Sequence, residues 1–267
     1  MSVVALRMDD VGASSKRYEI YSNWRARLGP LYVSGNWLFL KYLTPFKAWG
    51  PYPELGETHW NGICRLLEAH RAKLTVAITA GWVESEHEVV PFPERFPRQA
   101  AAIRDGVRAG FLEVANHGLT HCVLDNNLFK PRWFSGNRLY HREFWEWVPV
   151  AVHARHVERS QRILEAYFGT DVVTFVPPGN VFTDDTLEIA ARNGLRFLSA
   201  AAAPGHRRGM AILGNDDTEV FHDRDVALHG LPWLQRCLER HAGAEFCFVR
   251  DLGARFGTGE AARTGCR

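Results

Sequence analysis

Three times in this sequence a helical stretch ends at a glycine and runs at once into a short apolar segment. Gln99–Ala109 closes at Gly110 ahead of Phe111–Ala115. Val157–Phe168 closes at Gly169 ahead of Val172–Val176, and Thr183–Asn193 closes at Gly194 ahead of Leu195–Ala200. A glycine there supplies the left-handed residue with which helices commonly stop. Runs that are apolar throughout, rather than at every second residue, suit strands covered on both faces. Helix–glycine–strand in series therefore predicts βα units around a parallel sheet. Val3–Met8, Leu74–Thr79, Val226–Leu228 and Phe246–Val249 read as further strands, and Thr58 can cap a helix through Leu66 and Leu67 to His70. The expected fold class is α/β: a single distorted or incomplete (β/α) barrel with aromatic-rich loop insertions. A doubly wound open sheet is the alternative. At 267 residues the chain suits one barrel, so residues 1–267 are expected to form a single domain.

Two segments interrupt the alternation, at about 18–60 and 122–148. Tyr18–Trp60 holds 11 aromatics in 43 residues and Cys122–Val148 holds 7 in 27, which is 18 of the chain's 32. Each follows an acidic or histidine motif at a strand end, where loops of α/β proteins build their sites. Trp37 and Trp49 of the first segment are accordingly candidate substrate-binding residues, since aromatic faces stack on sugar rings. The same apolar surface would suit peripheral membrane contact. Lys and Arg number 32 against 30 Asp and Glu, for a net charge of +2. So slight a surplus excludes a generic polyanion binder, and no nucleic-acid partner is expected. The five Cys (64, 122, 237, 247, 266) are odd in number and lack CxxC spacing, which argues against a disulfide framework. No window approaches the ~20 apolar residues of a membrane span. The N-terminal run meets Asp9 without the pattern of a signal peptide, so a cytoplasmic protein is expected.

Candidate chemistry sits at the predicted strand ends. Asp9-Asp10 follows the first strand. Adjacent carboxylates repel, and in a regular strand they point to opposite faces, which suits two separate jobs. A capping Asp at a turn would also explain one of them. His117-Gly118-Leu119-Thr120-His121 follows Phe111–Ala115. Two His four apart would converge on one side of a helical turn, as in a metal clamp. With one carboxylate they make a three-ligand set open to water and substrate, although unrelated surface histidines share this spacing. Phe175-Val176-Pro177-Pro178-Gly179-Asn180 ends another strand, and Ala227-Leu228-His229-Gly230 a further one.

This ordered set resembles the polysaccharide deacetylase family with its NodB-type homology domain. Asp9-Asp10 is similar to its first motif, His117…His121 to its second, Phe175–Asn180 to its third and Leu228-His229 to its last, over roughly residues 2–230. The resemblance implies a metal-dependent hydrolase that removes an N-acetyl or other acyl group from a sugar, on a distorted (β/α) barrel. It implies Asp9 as general base, Asp10 with His117 and His121 as ligands of a divalent metal, foremost Zn2+, and His229 as general acid. Pro177, Pro178, Gly179 and Asn180, with Arg224, fall at substrate-binding positions. The family's third motif carries an Arg before the two prolines, where it braces the catalytic Asp. Here that place is Val176, and Arg7 or Arg224 is the available cation. The family's Asp-Trp motif has no clear match before His229; Asp223 or Asp225 is the nearest orienting group, and His222 is a rival acid.

The expected substrate is a biosynthetic intermediate: a small carbohydrate, a nucleotide-sugar, a lipid-linked sugar or a glycosylated natural product. Deformylation or hydrolysis of another amide on the same fold is the second reading, and a non-catalytic carbohydrate-binding relic the third. His153 and His156 read as solvated residues of a polar helix. Gly205–Gly209 reads as a basic surface turn, and Cys122 as a small buried hydrophobe.

Overall fold

The computed structural model describes residues 2–36, 40–124 and 141–255. In chain order the elements are β1 (Val3–Val11), a small hairpin of β2 (Arg25–Leu28) and β3 (Leu31–Ser34), α1 (Glu57–Ala69) and β4 (Leu74–Ile78). A second hairpin, β5 (Gly81–Ser85) and β6 (Glu88–Pro91), precedes α2 (Phe92–Arg95), α3 (Pro97–Arg108) and β7 (Leu112–Asn116). Then come α4 (Val150–Phe168), β8 (Thr174–Phe175), α5 (Asp184–Arg192), β9 (Phe197–Ser199), β10 (Gly205–Arg207) and β11 (Met210–Leu213). β12 (Thr218–His222), α6 (Asp223–His229), α7 (Leu231–Arg240) and β13 (Glu245–Cys247) complete the described chain.

Nine strands form one sheet in the order β10-β11-β9-β8-β7-β4-β1-β12, with β13 also paired to β1. All its pairings are parallel except β10 with β11. β1 and β9 lie four places apart in that order, which a flat sheet would hold roughly 19 Å apart at ~4.8 Å per strand. Yet Arg7 of β1 donates to Ser199 Oγ of β9 at 2.7 Å, and Ala5 packs with Leu213 of β11 in one apolar cluster. The sheet is therefore curled, and among the described residues its two edges, β10 and β12, do not pair. This is the expected incomplete barrel.

Helices cover the outside because each buries one stripe. On α4, His153, Val157, Ser160, Gln161, Leu164 and Phe168 are buried at three- and four-residue spacing, and Gly169 caps the helix at φ 65°. The expected helix began at Val157; the observed one starts at Val150. α1 starts after Gly56 rather than at Thr58, and Trp60 lies fully inside the main core with Ile63 and Leu67.

One expected strand is overturned. Val226–Leu228 is helical and lies within α6; the strand of that unit is Thr218–His222. Three apolar residues cannot distinguish the two states. What decides is His222, whose backbone N–H donates to Asp225 Oδ2 at 2.9 Å and starts a helix at Asp223. No helix among the described residues is long and apolar enough to cross a membrane.

Candidate metal centre and pocket

The C-terminal ends of β1, β7, β8 and β12 meet at one mouth of the barrel, above a cavity of about 710 Å3. Asp9, Asp10, His117, His121, Pro177, Gly179, Asn180, Trp49, Arg224, His222 and His229 all line it. Pro178 is buried beneath, and Trp37 lies outside the described residues.

Two adjacent strand residues should face opposite ways, yet Asp9 and Asp10 both face this cavity. The reason is local backbone: Asp10 has φ +71°, and the β1–β4 register shifts between Met8 and Val11. Asp is one of the few side chains that tolerate the left-handed region. The bulge turns Asp10 back toward the mouth. Asp9 keeps the regular strand orientation and shares a face with Arg7, two residues earlier. Arg7 Nε and Nη2 each donate to one oxygen of Asp9 at 2.9 Å, while Nη1 holds Ser199. Arg7 is 1% exposed, so the pair is an enclosed bidentate one whose remaining donor is also satisfied. Arg7 thus makes the brace for which Val176 lacks a side chain.

Asp10 Oδ1 lies 3.2 Å from His117 Nε2 and 3.0 Å from His121 Nε2. Ligating atoms of the three residues fall within 4.8 Å of one another, and all three residues are buried. Burial alone would raise the Asp10 carboxyl, but His222, His121 and His117 together hold it well below the usual carboxylate range. His121 is shifted up from the usual histidine value; burial opposes the change and the Asp10 carboxylate outweighs it. Two imidazoles and a carboxylate at this spacing fit a divalent cation. His117 Nδ1 donates to the Val176 carbonyl at 2.6 Å, so its Nε2 lone pair is directed at the site. Val176, without the family's side chain, orients His117 through its backbone.

His117–His121 is a loop and not a helical turn, contrary to the spacing argument. Gly118 has φ +75° and His121 φ +56°. The residue that holds this loop escaped sequence reasoning: Glu143, 1% exposed, from the second aromatic segment. Its carboxylate accepts the backbone N–H groups of Leu119 (2.9 Å), Thr120 (3.2 Å) and His121 (2.9 Å). His156 Nδ1 reaches the same carboxylate at 2.5 Å. Burial would raise Glu143, but His156 and these backbone donors pull it below its ordinary value. A side chain at position 118 has no room, since a Cβ there would lie 2.3 Å from Glu143 Oε2. Asn116 Oδ1 accepts the Gly118 N–H at 2.9 Å, and its amide donates to Ser160 and Gln161 of α4. His153 and His156 are therefore buried, not solvated: His156 serves Glu143, and His153 Nδ1 meets Thr186 Oγ1 at 3.0 Å. Cys122 is buried, as expected.

On the far side, His222 ends β12 beside Asp9 in register, with Nε2 3.9 Å from Asp10 Oδ2. His229 sits at the last turn of α6, exposed on the cavity rim. Asp223, next to His222, is fully buried. It accepts a hydrogen bond from Tyr52 at 3.1 Å and an ion pair from Lys16. Lys16 also meets Glu54 at 2.6 Å. Burial would lower Lys16, but Asp223 and Glu54 hold its ammonium above the usual lysine range. Arg224 lies over Trp49 at 4.3 Å from the ring centroid, and Trp49 stacks on Tyr21 at 5.5 Å.

A family model described as polysaccharide deacetylase matches residues 49–198. That span contains the His117–His121 loop and the Pro177-Pro178 turn, but not Asp9-Asp10. Among solved structures the chain is similar to a CE4-family pseudoenzyme from Bacillus anthracis (18% identity, TM-score 0.47), covering 74% of this chain and 61% of that one. It is also similar to the Xyl-CE4 domain of a multidomain xylanase from the Trinervitermes trinervoides hindgut metagenome (13%, TM-score 0.48, 96% of this chain and 91% of that). A family 4 carbohydrate esterase from Streptomyces lividans in complex with acetate is a third (17%, TM-score 0.44, 73% and 86%). No curated protein matches the sequence. With more than half of its length matched by the family model, the chain belongs to the polysaccharide deacetylase family.

Proposed function

We propose that this protein is a divalent-metal-dependent hydrolase that removes an N-acetyl group from a sugar of a biosynthetic intermediate. The observation that carries the reading is the convergence, on one cavity, of the Asp10–His117–His121 ligand set and the separately braced carboxylate of Asp9. Asp10, His117 and His121 would hold the cation, and their nitrogen and oxygen donors suit Zn2+. When bound, it supplies Lewis acidity that polarises an acyl carbonyl and acidifies water. Asp9, pinned through both oxygens by Arg7, takes the proton from the attacking water. The acid that protonates the departing amine is His222 rather than His229. It stands on the strand neighbouring Asp9 with Nε2 toward Asp10, while His229 lies on the rim. A histidine cycles its proton readily near neutral pH. Pro177, Gly179 and Asn180, at the 3-10 turn that follows β8, line the same cavity.

The test is metal analysis of the purified protein together with amine, acetate and formate release from a panel of N-acyl sugars. One metal per chain and acetate release are expected, with both lost in His117→Ala and Asp10→Ala. Full activity in those variants would overturn the reading. Formate release without acetate would move it to a deformylase, and sugar binding without metal would mark a relic.

A further inference from the structure

The substrate side of the cavity carries a cation that the hydrolytic scheme does not use. Lys41 lies in the Leu40–Tyr42 turn of the first aromatic segment and is 1% exposed, yet it lines the cavity. A buried ammonium is costly unless it is paired. Among the described residues, no carboxylate comes within 4.0 Å of it. Glu19, the one acid that acts on it, does so at longer range. Glu19 is itself occupied, accepting from Ser15 Oγ at 2.9 Å and lying 3.7 Å from His141 Nδ1. The Tyr42 ring, 5.4 Å away, offers a weak contact only.

Two further cations line the same cavity, Arg142 and Arg224. Both rest on indole rings, at 4.1 Å from the Trp145 centroid and 4.3 Å from the Trp49 centroid. Asp225 is the remaining acid there; it holds the His222 backbone and lies 4.0 Å from Arg224. Asp9 is cancelled by Arg7, and Asp10 is enclosed by two imidazoles. Three cations therefore line the cavity against Glu19 and Asp225, and the most buried of them, Lys41, has no carboxylate within 4.0 Å among the described residues.

We propose that Lys41, supported by Arg224, is an anion subsite, so that the N-acyl sugar this enzyme takes carries a phosphate or carboxylate group. The proposal rests on the hydrolase reading for the reacting end of the substrate, but not for binding of the anionic end. Arg224 is preorganised by its stack on Trp49, and Lys41 is buried while lining the same cavity, so an anion beside it would meet little competing water.

Calorimetric binding to the full-length, metal-loaded protein separates the two readings. The probes are N-acetylglucosamine, its 1-phosphate and N-acetylmuramic acid. Wild type is expected to bind at least one anionic probe tenfold or more tighter than the neutral sugar. The probe preferred assigns the group as phosphate or carboxylate. Lys41→Met should collapse that ratio toward one, and Lys41→Arg should retain most of it. Equal binding of all three probes by wild type, or an unchanged ratio in Lys41→Met, would overturn the subsite. Should Lys41→Met fail to fold, Arg224→Met is expected to reduce the ratio, and an unchanged ratio there would count against the proposal. Anionic preference without any amine release would leave the subsite standing and remove the hydrolase reading.

Discussion

Two regions that line the cavity differ in how deeply the groups that hold them are buried. The wall that carries His117 and His121 is tied by hydrogen bonds to buried groups. Glu143 collects three successive N–H groups, Asn116 takes a fourth, and both are locked to α4. The other region, within Tyr21–Tyr52, adds ring contacts such as Tyr21–Trp49 and Trp24–Phe46 to backbone bonds between Tyr21 and Trp49 and to the Asn36–Ser22 pair. Its Trp24 and Tyr32 are exposed, and among the described residues its buried Lys41 has no carboxylate within 4.0 Å. A buried hydrogen bond fixes direction more firmly than one at a surface, where water competes. On the proposed function, the first region suits a metal site and the second a substrate wall.

The largest effect should come from the tied wall. Removing Asp10 or His121 is expected to abolish metal retention and reduce amine release to background, measured by metal analysis and product assay. Next, His222→Ala should lower kcat by about 10²–10⁴-fold, the usual worth of a general acid, whereas His229→Ala should stay within a few-fold. The reverse order would restore His229 to the acid's role. Glu143→Gln keeps the shape but replaces an acceptor oxygen with a donor that faces N–H groups. A loss of about 10–100-fold in metal affinity is expected, read by competition with a chelator. An unchanged affinity would show that the loop holds its own shape. The smallest effect belongs to the aromatic wall and is a pH dependence. Burial brings the Lys41 ammonium down to about 8, with Glu19 opposing. Lys41 is therefore charged below pH 8 and neutral above it. KM for an anionic probe, relative to the neutral sugar, should rise as pH passes 8. Glu19, which burial and Asp10 push up, and His141, which burial and His121 push down to about 3, face the same region. Asp223, next to Arg224 in sequence and paired with Lys16, is pushed by burial up to about 8 as well, so the control is Lys41→Met, in which the rise across pH 8 should disappear if Lys41 causes it.

Much of the tied wall was legible in the sequence because its parts are local. Gly110, Gly169 and Gly194 mark real helix ends, each with positive φ, and the strands that follow deliver Asn116 and Phe175 to the mouth. Asp9-Asp10 and the two histidines could be paired by their place at strand ends. What could not be read depends on tertiary approach. Glu143 is 22 residues beyond His121, and nothing in its neighbours marks it as a carboxylate that receives that loop. The bulge at Asp10 is a backbone choice that a two-residue motif does not encode. The exchange of helix for strand at Val226–Leu228 came from an apolar run too short to carry a period. Nothing in the sequence around Lys41 marks it as a buried residue.

Arg7 and Asp9 also have a mechanical meaning. In an unclosed barrel the edges are free to breathe, and any pair of groups borne by different strands will sense that motion. A cation two residues before the carboxylate on the same strand rides along with it. The distance between them is set by one stretch of backbone, and the flexing of the assembly does not enter. The same proximity makes the pair a single unit of inheritance. Position 176 is released from supplying a side chain, while a one-residue slip of β1 would carry both groups out of the interior together.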